Sequence, residues 1–134
     1  MVQVFNTEAI QVINLFESFT GVSVKDCIIQ EKTIYILVEE GKINLAIGKN
    51  GTLVKELERI LNKNIKIFEY RNELKDFVKS LIPQAKSIEI KDKVVEVKVD
   101  KSDRPIVIGR ESKNLKIVEE LLKRNSKIEK VVVK

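Results

Sequence analysis

Ala46-Ile47-Gly48-Lys49-Asn50-Gly51 stands between two segments with helical apolar spacing. Sixty-one residues later, Val107-Ile108-Gly109-Arg110-Glu111-Ser112 stands between two more. The first run has the spacing Gly-x-x-Gly with a basic residue between the glycines. The second keeps its first glycine and has Ser112 in place of the other. A short apolar helix, a glycine loop and a longer helix form one unit of structure, and here the unit occurs twice.

Working outward, residues 42–47 read as the short helix of the first copy. Residues 52–63 read as the long helix, with Leu53, Val54, Leu57, Ile60 and Leu61 inward. Residues 7–20 predict a helix with Ile10, Ile13 and Phe16 on one stripe, widened by Val12 and Leu15 and stopped at Gly21. Segments 25–29 and 33–38 read as strands around a turn at Glu31-Lys32, and 64–70 as a third strand. The order then restarts. A helix over 73–82 is stopped by Pro83, strands follow over 87–90 and 94–99, a short helix over 104–108 and a long one over 114–124. The last strand spans 127–133.

A shift of 61 residues lays Ile34, Ile36 and Val38 on Val95, Val97 and Val99. It also lays Val54, Leu57, Ile60 and Leu61 on Leu115, Val118, Leu121 and Leu122. A repeat that keeps apolar phase through several elements points to a duplicated domain. The expected fold class is α+β, with domains 1–71 and 72–134, each a three-stranded sheet covered by helices. No Gly/Pro/Ser-rich run marks the boundary near Arg71-Asn72, so no flexible tether is expected there.

The loop has a definite chemical capacity. A helix N-terminus offers unpaired N–H groups and the positive end of its dipole, and an anion can settle there if the backbone comes close. Gly48 and Gly51 remove two Cβ atoms from that approach. Lys49 adds a charge and Asn50 a donor, while Asn44 and Ile47 flank the loop on the short helix. A nucleotide P-loop is excluded: six residues separate Gly41 from Gly48 where four are needed, and Asn50 stands where Ser or Thr should hold magnesium.

Composition narrows the field further. The chain has 134 residues, 43% hydrophobic and 34% charged, with a formal net charge of +5. That balance suits a polyanionic partner. No apolar run is long enough for a membrane span, and the N-terminus has no signal-peptide pattern, so a cytoplasmic protein is expected. With no histidine and Cys27 alone, neither an internal disulfide nor a His/Cys zinc site can form, and no Ser-His-Asp or Cys-His nucleophile system is available. Cys27 reads as a small buried hydrophobe. Five Phe, two Tyr and no Trp leave little for stacking bases on a sheet. Glu39-Glu40 and Glu119-Glu120 read as solvated pairs, so no residue is assigned a catalytic role.

The arrangement resembles tandem K-homology (KH) domains of the prokaryotic, type II kind, and the archaeal NusA-like transcription factors in particular. The resemblance rests on residues 43–51 and on Ile106-Val107-Ile108-Gly109-Arg110 followed by Lys113-Asn114-Leu115. It implies the order α-β-β-α-α-β and a Gly-x-x-Gly loop that clamps about four nucleotides. It also implies single-stranded RNA as partner, in transcription elongation, termination or antitermination, with RNA polymerase as a second partner. No cofactor, metal, membrane or small-molecule substrate is implied. The residues matching the RNA-binding positions are Asn44, Ile47, Gly48, Lys49, Asn50 and Gly51, then Ile108, Gly109, Arg110, Lys113 and Asn114. Ribosomal RNA in ribosome assembly, or a protein-interaction role on RNA polymerase, stays open beside this reading.

The two copies differ in charge. Glu111 cancels Arg110 in the second loop, and Ser112 adds a Cβ where the backbone should approach phosphate. Ser112 is also a candidate N-cap for the helix that follows. Yet residues 1–71 hold nine basic and nine acidic side chains, so all the net charge lies in 72–134. Lys113, Lys116, Lys123 and Arg124 follow the poorer loop, as a phosphate-facing surface or a solvated helix face. The expectation is one clamp in the first domain and a looser electrostatic surface in the second.

Overall fold

A computed structural model describes residues 6–134; residues 1–5, most of the run without a signal-peptide pattern, lie outside the described residues. The chain is α+β and divides into two compact units, one ending at Arg71 and the other spanning Asn72–Lys134.

The first unit runs α1 Thr7–Thr20, β1 Val24–Gln30, β2 Thr33–Val38, α2 Ile43–Ile47, α3 Thr52–Leu61 and β3 Asn64–Glu69. Asn6 caps α1 by accepting from Ala9 N at 2.7 Å, and Gly21 ends it in the left-handed region. β2 is the central strand, antiparallel to β1 and parallel to β3. Ile34, Ile36 and Val38 face Val12, Phe16, Ala46 and Leu57 in one buried cluster. Tyr35 and Leu37, on the alternate face, are buried too. Burying side chains of this size contributes about 1.5–3 kcal/mol each.

The second unit runs α4 Leu74–Leu81, β4 Ser87–Lys91, β5 Val94–Lys98, α5 Arg104–Ile108, α6 Lys113–Asn125 and β6 Lys130–Val133. Glu73 caps α4 through Lys75 N and Asp76 N. Ile82, turned out of the helical region (φ −127°, ψ 80°) before Pro83, ends it. The sheet order and pairing repeat those of the first unit, with β5 antiparallel to β4 and parallel to β6.

One tie recurs in both units. Glu58 of α3 accepts from Ile65 N at 2.8 Å, and Glu119 of α6 accepts from Val131 N at 3.0 Å. Ile65 and Val131 occupy the same register position, beside Ile34 and Val95. Each long helix is therefore latched to the strand that follows it.

Several sequence expectations need correction. The buried stripe of α1 is Ala9, Val12 and Phe16, while Ile10 is 47% exposed. α3 stops two residues early because Asn62 turns into the left-handed region. Ile60 is half exposed, whereas its counterpart Leu121 is fully buried. β6 begins three residues late. Ser126 receives Ile128 N and donates to Leu122 O, folding 126–129 into a turn whose Ile128 is buried without being in a strand. The 61-residue offset thus fails at the last strand, where Ile65 matches Val131. α6 is three residues longer than α3, and the turn after it two longer. Among the described residues, no helix is long and apolar enough to cross a membrane.

Candidate functional site

The two loops are copies in backbone as well as in sequence position. Each short helix ends at a glycine that enters a single 3-10 turn, Lys49–Gly51 in one unit and Arg110–Ser112 in the other. Gly48 sits at φ 80°, ψ 170° and Gly109 at 76°, 172°. Only glycine adopts that region readily. Asn50 (55°, 28°) matches Glu111 (56°, 30°), and Gly51 (72°, 17°) matches Ser112 (62°, 22°). The turns close alike, Gly51 N donating to Gly48 O at 3.1 Å and Ser112 N to Gly109 O at 3.2 Å.

The two glycine positions of the motif do different work. A Cβ on Gly48 would meet Leu53 Cγ at 2.7 Å, and one on Gly109 would meet Asn114 at 2.8 Å. At Gly51 nothing lies nearer than Lys55 Cε, 3.9 Å away. The first position needs glycine for both space and backbone. The second needs only a left-handed residue, which serine can supply at about 1–2 kcal/mol. The loss of the second glycine therefore changes the chemistry of the loop and leaves its shape. Ser112 does occupy the N-cap position of α6, but its hydroxyl makes no capping bond. Side-chain capping belongs to extended backbone, and Ser112 is left-handed.

Lys49, Asn50, Arg110 and Glu111 are exposed at the loop tips, as is Asn44 on α2. Ile47 and Ile108 are half-buried beside them. Asn114 spends its amide on the fold, Nδ2 donating to Ile106 O at 2.9 Å. Arg124 pairs with Glu120 at 3.1 Å, while Lys116 and Lys123 project from α6 into solvent.

The approach to the first loop is pinned from below. Glu69, 7% exposed at the end of β3, accepts from Gly41 N at 2.6 Å and pairs with Arg71 at 2.9 Å. Arg71 also reaches Glu40 at 4.0 Å. This cluster fixes the turn from which α2 starts.

Beside the second loop lies an open cavity of about 420 Å³, lined by Lys101, Arg104, Pro105, Ile108, Gly109 and Arg110. Ile108, Gly109 and Arg110 are expected from the sequence; Lys101, Arg104 and Pro105, which the sequence did not single out, line the same cavity. The signal was present, since subtracting 61 lands on Glu40, Ile43 and Asn44, beside the first loop. Asp100, next to Lys101, is taken up by Lys86 at 2.5 Å, and this hydrogen bond raises the Lys86 ammonium above its usual pKa.

The family model for the KH domain matches residues 12–79, covering the first loop and ending before the second. The chain is 32% identical over 133 residues to the probable transcription termination protein NusA of Methanocaldococcus jannaschii, covering 95% of this chain and 73% of the relative. It is 37% identical over 116 residues to the protein so named in Methanococcus vannielii, covering 82% and 67%. The crystal structure of APE1850 superposes with a TM-score of 0.77 at 34% identity, covering 97% of this chain and all of the other.

Proposed function

The chain belongs to the KH-domain family, as an archaeal NusA-like member, and from that premise we propose that it binds single-stranded RNA without catalysis. We place that binding in transcription elongation, termination or antitermination in the cytoplasm, with RNA polymerase as a second partner. In this reading both units, 1–71 and 72–134, are type II KH domains. The shared strand order, the matching Glu58 and Glu119 latches and the near-identical loops support it.

The observation that carries the reading is the loop geometry. Gly48 brings the backbone to the surface with no side chain in the way, and the turn sets Lys49 and Asn50 outward beside the N-terminus of α3. Phosphate oxygens fit that combination of N–H groups and positive charge. Asn44 and Ile47, on the flank of α2, meet the bases. In the second unit Ile108, Gly109, Arg110, Lys113 and Asn114 take the matching places, with Asn114 acting through its hold on α5.

Fluorescence anisotropy with a labelled single-stranded RNA, titrated at several salt concentrations, tests this. Binding should weaken steeply with salt, and a duplex DNA competitor should displace the RNA poorly. Gly51→Asp, which tolerates left-handed backbone and puts a negative charge at the clamp, should cost about tenfold in affinity. Unchanged affinity would refute the clamp in the first unit.

A further inference from the structure

The second loop carries no net charge, yet the wall beside it is the most basic lining of the two sites. Lys101, Arg104 and Arg110 converge on one cavity with no carboxylate in its lining. Among the described residues none of the three is in an ion pair. Three carboxylates adjoin these residues in the chain and stay out of the lining: Asp100 is held by Lys86, whose ammonium also feels Asp103, and Glu111 is exposed at the loop tip. Pro105 and Ile108 line the same cavity with apolar surface. The six matching residues of the first unit are Glu40, Ile43, Asn44, Ile47, Gly48 and Lys49. There one carboxylate and one ammonium offset each other, and Glu40 faces Arg71.

Three like charges around an open cavity repel one another, and an anion seated among them relieves that repulsion. Guanidinium groups suit phosphate oxygens because their donors form a planar fork. Apolar surface next to such a site suits the face of a base or ribose. A nucleotide unit of a single strand meets both demands, and a purely acidic peptide would leave the apolar part idle.

We propose that Lys101 and Arg104, together with Arg110, form a phosphodiester-binding subsite on the flank of α5, with Pro105 and Ile108 as the seat for the attached nucleoside. The second unit then grips RNA mainly beside its loop, where the first unit grips through its loop. This rests on the RNA-binding reading given above.

The test transplants the first unit's wall into the second. Lys101→Glu and Arg104→Ile install the residues found at Glu40 and Ile43. Anisotropy titrations with a labelled single-stranded RNA should show the double variant at least tenfold weaker at low salt. Its log K against log salt slope should be shallower by about 0.7, since one phosphate no longer neutralised on a single strand removes roughly that much. Arg104→Lys should keep most of the affinity.

Arg104 also donates to Val133 O at 3.4 Å, so thermal melts accompany the titrations. If the double variant melts early, Lys101→Glu alone decides, and it should weaken binding and flatten the slope by no more than about 0.7. RNA binding by the wild-type chain with no change in the variants overturns the subsite and leaves the RNA-binding reading standing. A wild-type chain that binds no RNA overturns both. Variants that lose capture of RNA polymerase and keep RNA affinity reassign the patch to a protein partner and overturn the subsite.

Discussion

Asn114 lies against Gly109 so closely that a Cβ on the glycine would sit 2.8 Å from its side-chain amide, and that amide holds Ile106 O at 2.9 Å. In the first unit the same place over Gly48 is taken by Leu53, which holds by packing alone. Asn114→Leu should therefore keep the glycine covered and lose one hydrogen bond. The expected cost is about 1 kcal/mol in denaturant unfolding, because the freed carbonyl of exposed Ile106 can turn to water.

The glycines of the first loop should respond unequally. Gly48→Ala adds a Cβ against Leu53 in a region only glycine favours and should cost at least about 2 kcal/mol. Gly51→Ala meets open space and should cost about 1 kcal/mol, for left-handed backbone alone. Equal losses in urea titrations would show that the two positions are under one constraint.

Ser112→Gly should stabilise the chain by about 0.5 kcal/mol. It removes left-handed strain of about 1–2 kcal/mol, partly offset by the greater freedom of glycine in the unfolded state. Denaturation midpoints at unchanged m-value measure it, and a lower midpoint would mean that the serine side chain is itself stabilising there.

Leu121→Ala should cost about 2–5 kcal/mol, since Leu121 is fully buried. Ile60→Ala, at the matching place on α3 but 50% exposed, should stay within about 1 kcal/mol. The pair measures how far the two units have diverged along otherwise matching helices.

Glu69→Gln should loosen the turn at Gly41, since a neutral Gln accepts from Gly41 N less strongly and forms no ion pair with Arg71. Arg71 is 43% exposed, so most of the loss falls on the charge-assisted bond to Gly41 N, about 1–2 kcal/mol. Hydrogen exchange at the Gly41 amide should speed up while Leu57 in the core stays protected.

The sequence carried the order of elements, because apolar phase at 3.6 or 2 residues survives in single side chains such as Leu57 and Ile36. It misled where a side chain's size hid its place. Ala9 is small enough to be passed over for Ile10, and Ile128 is apolar enough to pass for a strand residue. The glycine loops were legible as motifs. That Ser112 would keep the loop's shape was not, since backbone dihedrals at a non-glycine residue leave no trace in composition. Lys101 and Arg104 were not legible, because their sharing a cavity with Arg110 is a relation in space that charge along the chain does not carry.

Glu58 and Glu119 give each long helix a fulcrum. Each latch lies six positions beyond the first residue of its helix, about 9 Å at 1.5 Å per residue. A pull on either loop acts as torque on that arm, and the helix cannot roll about its own axis without drawing a carboxylate off a strand amide. Load taken at the loop is therefore passed to the edge of the sheet, and the aim of the loop is set by a bond at the far end of the lever.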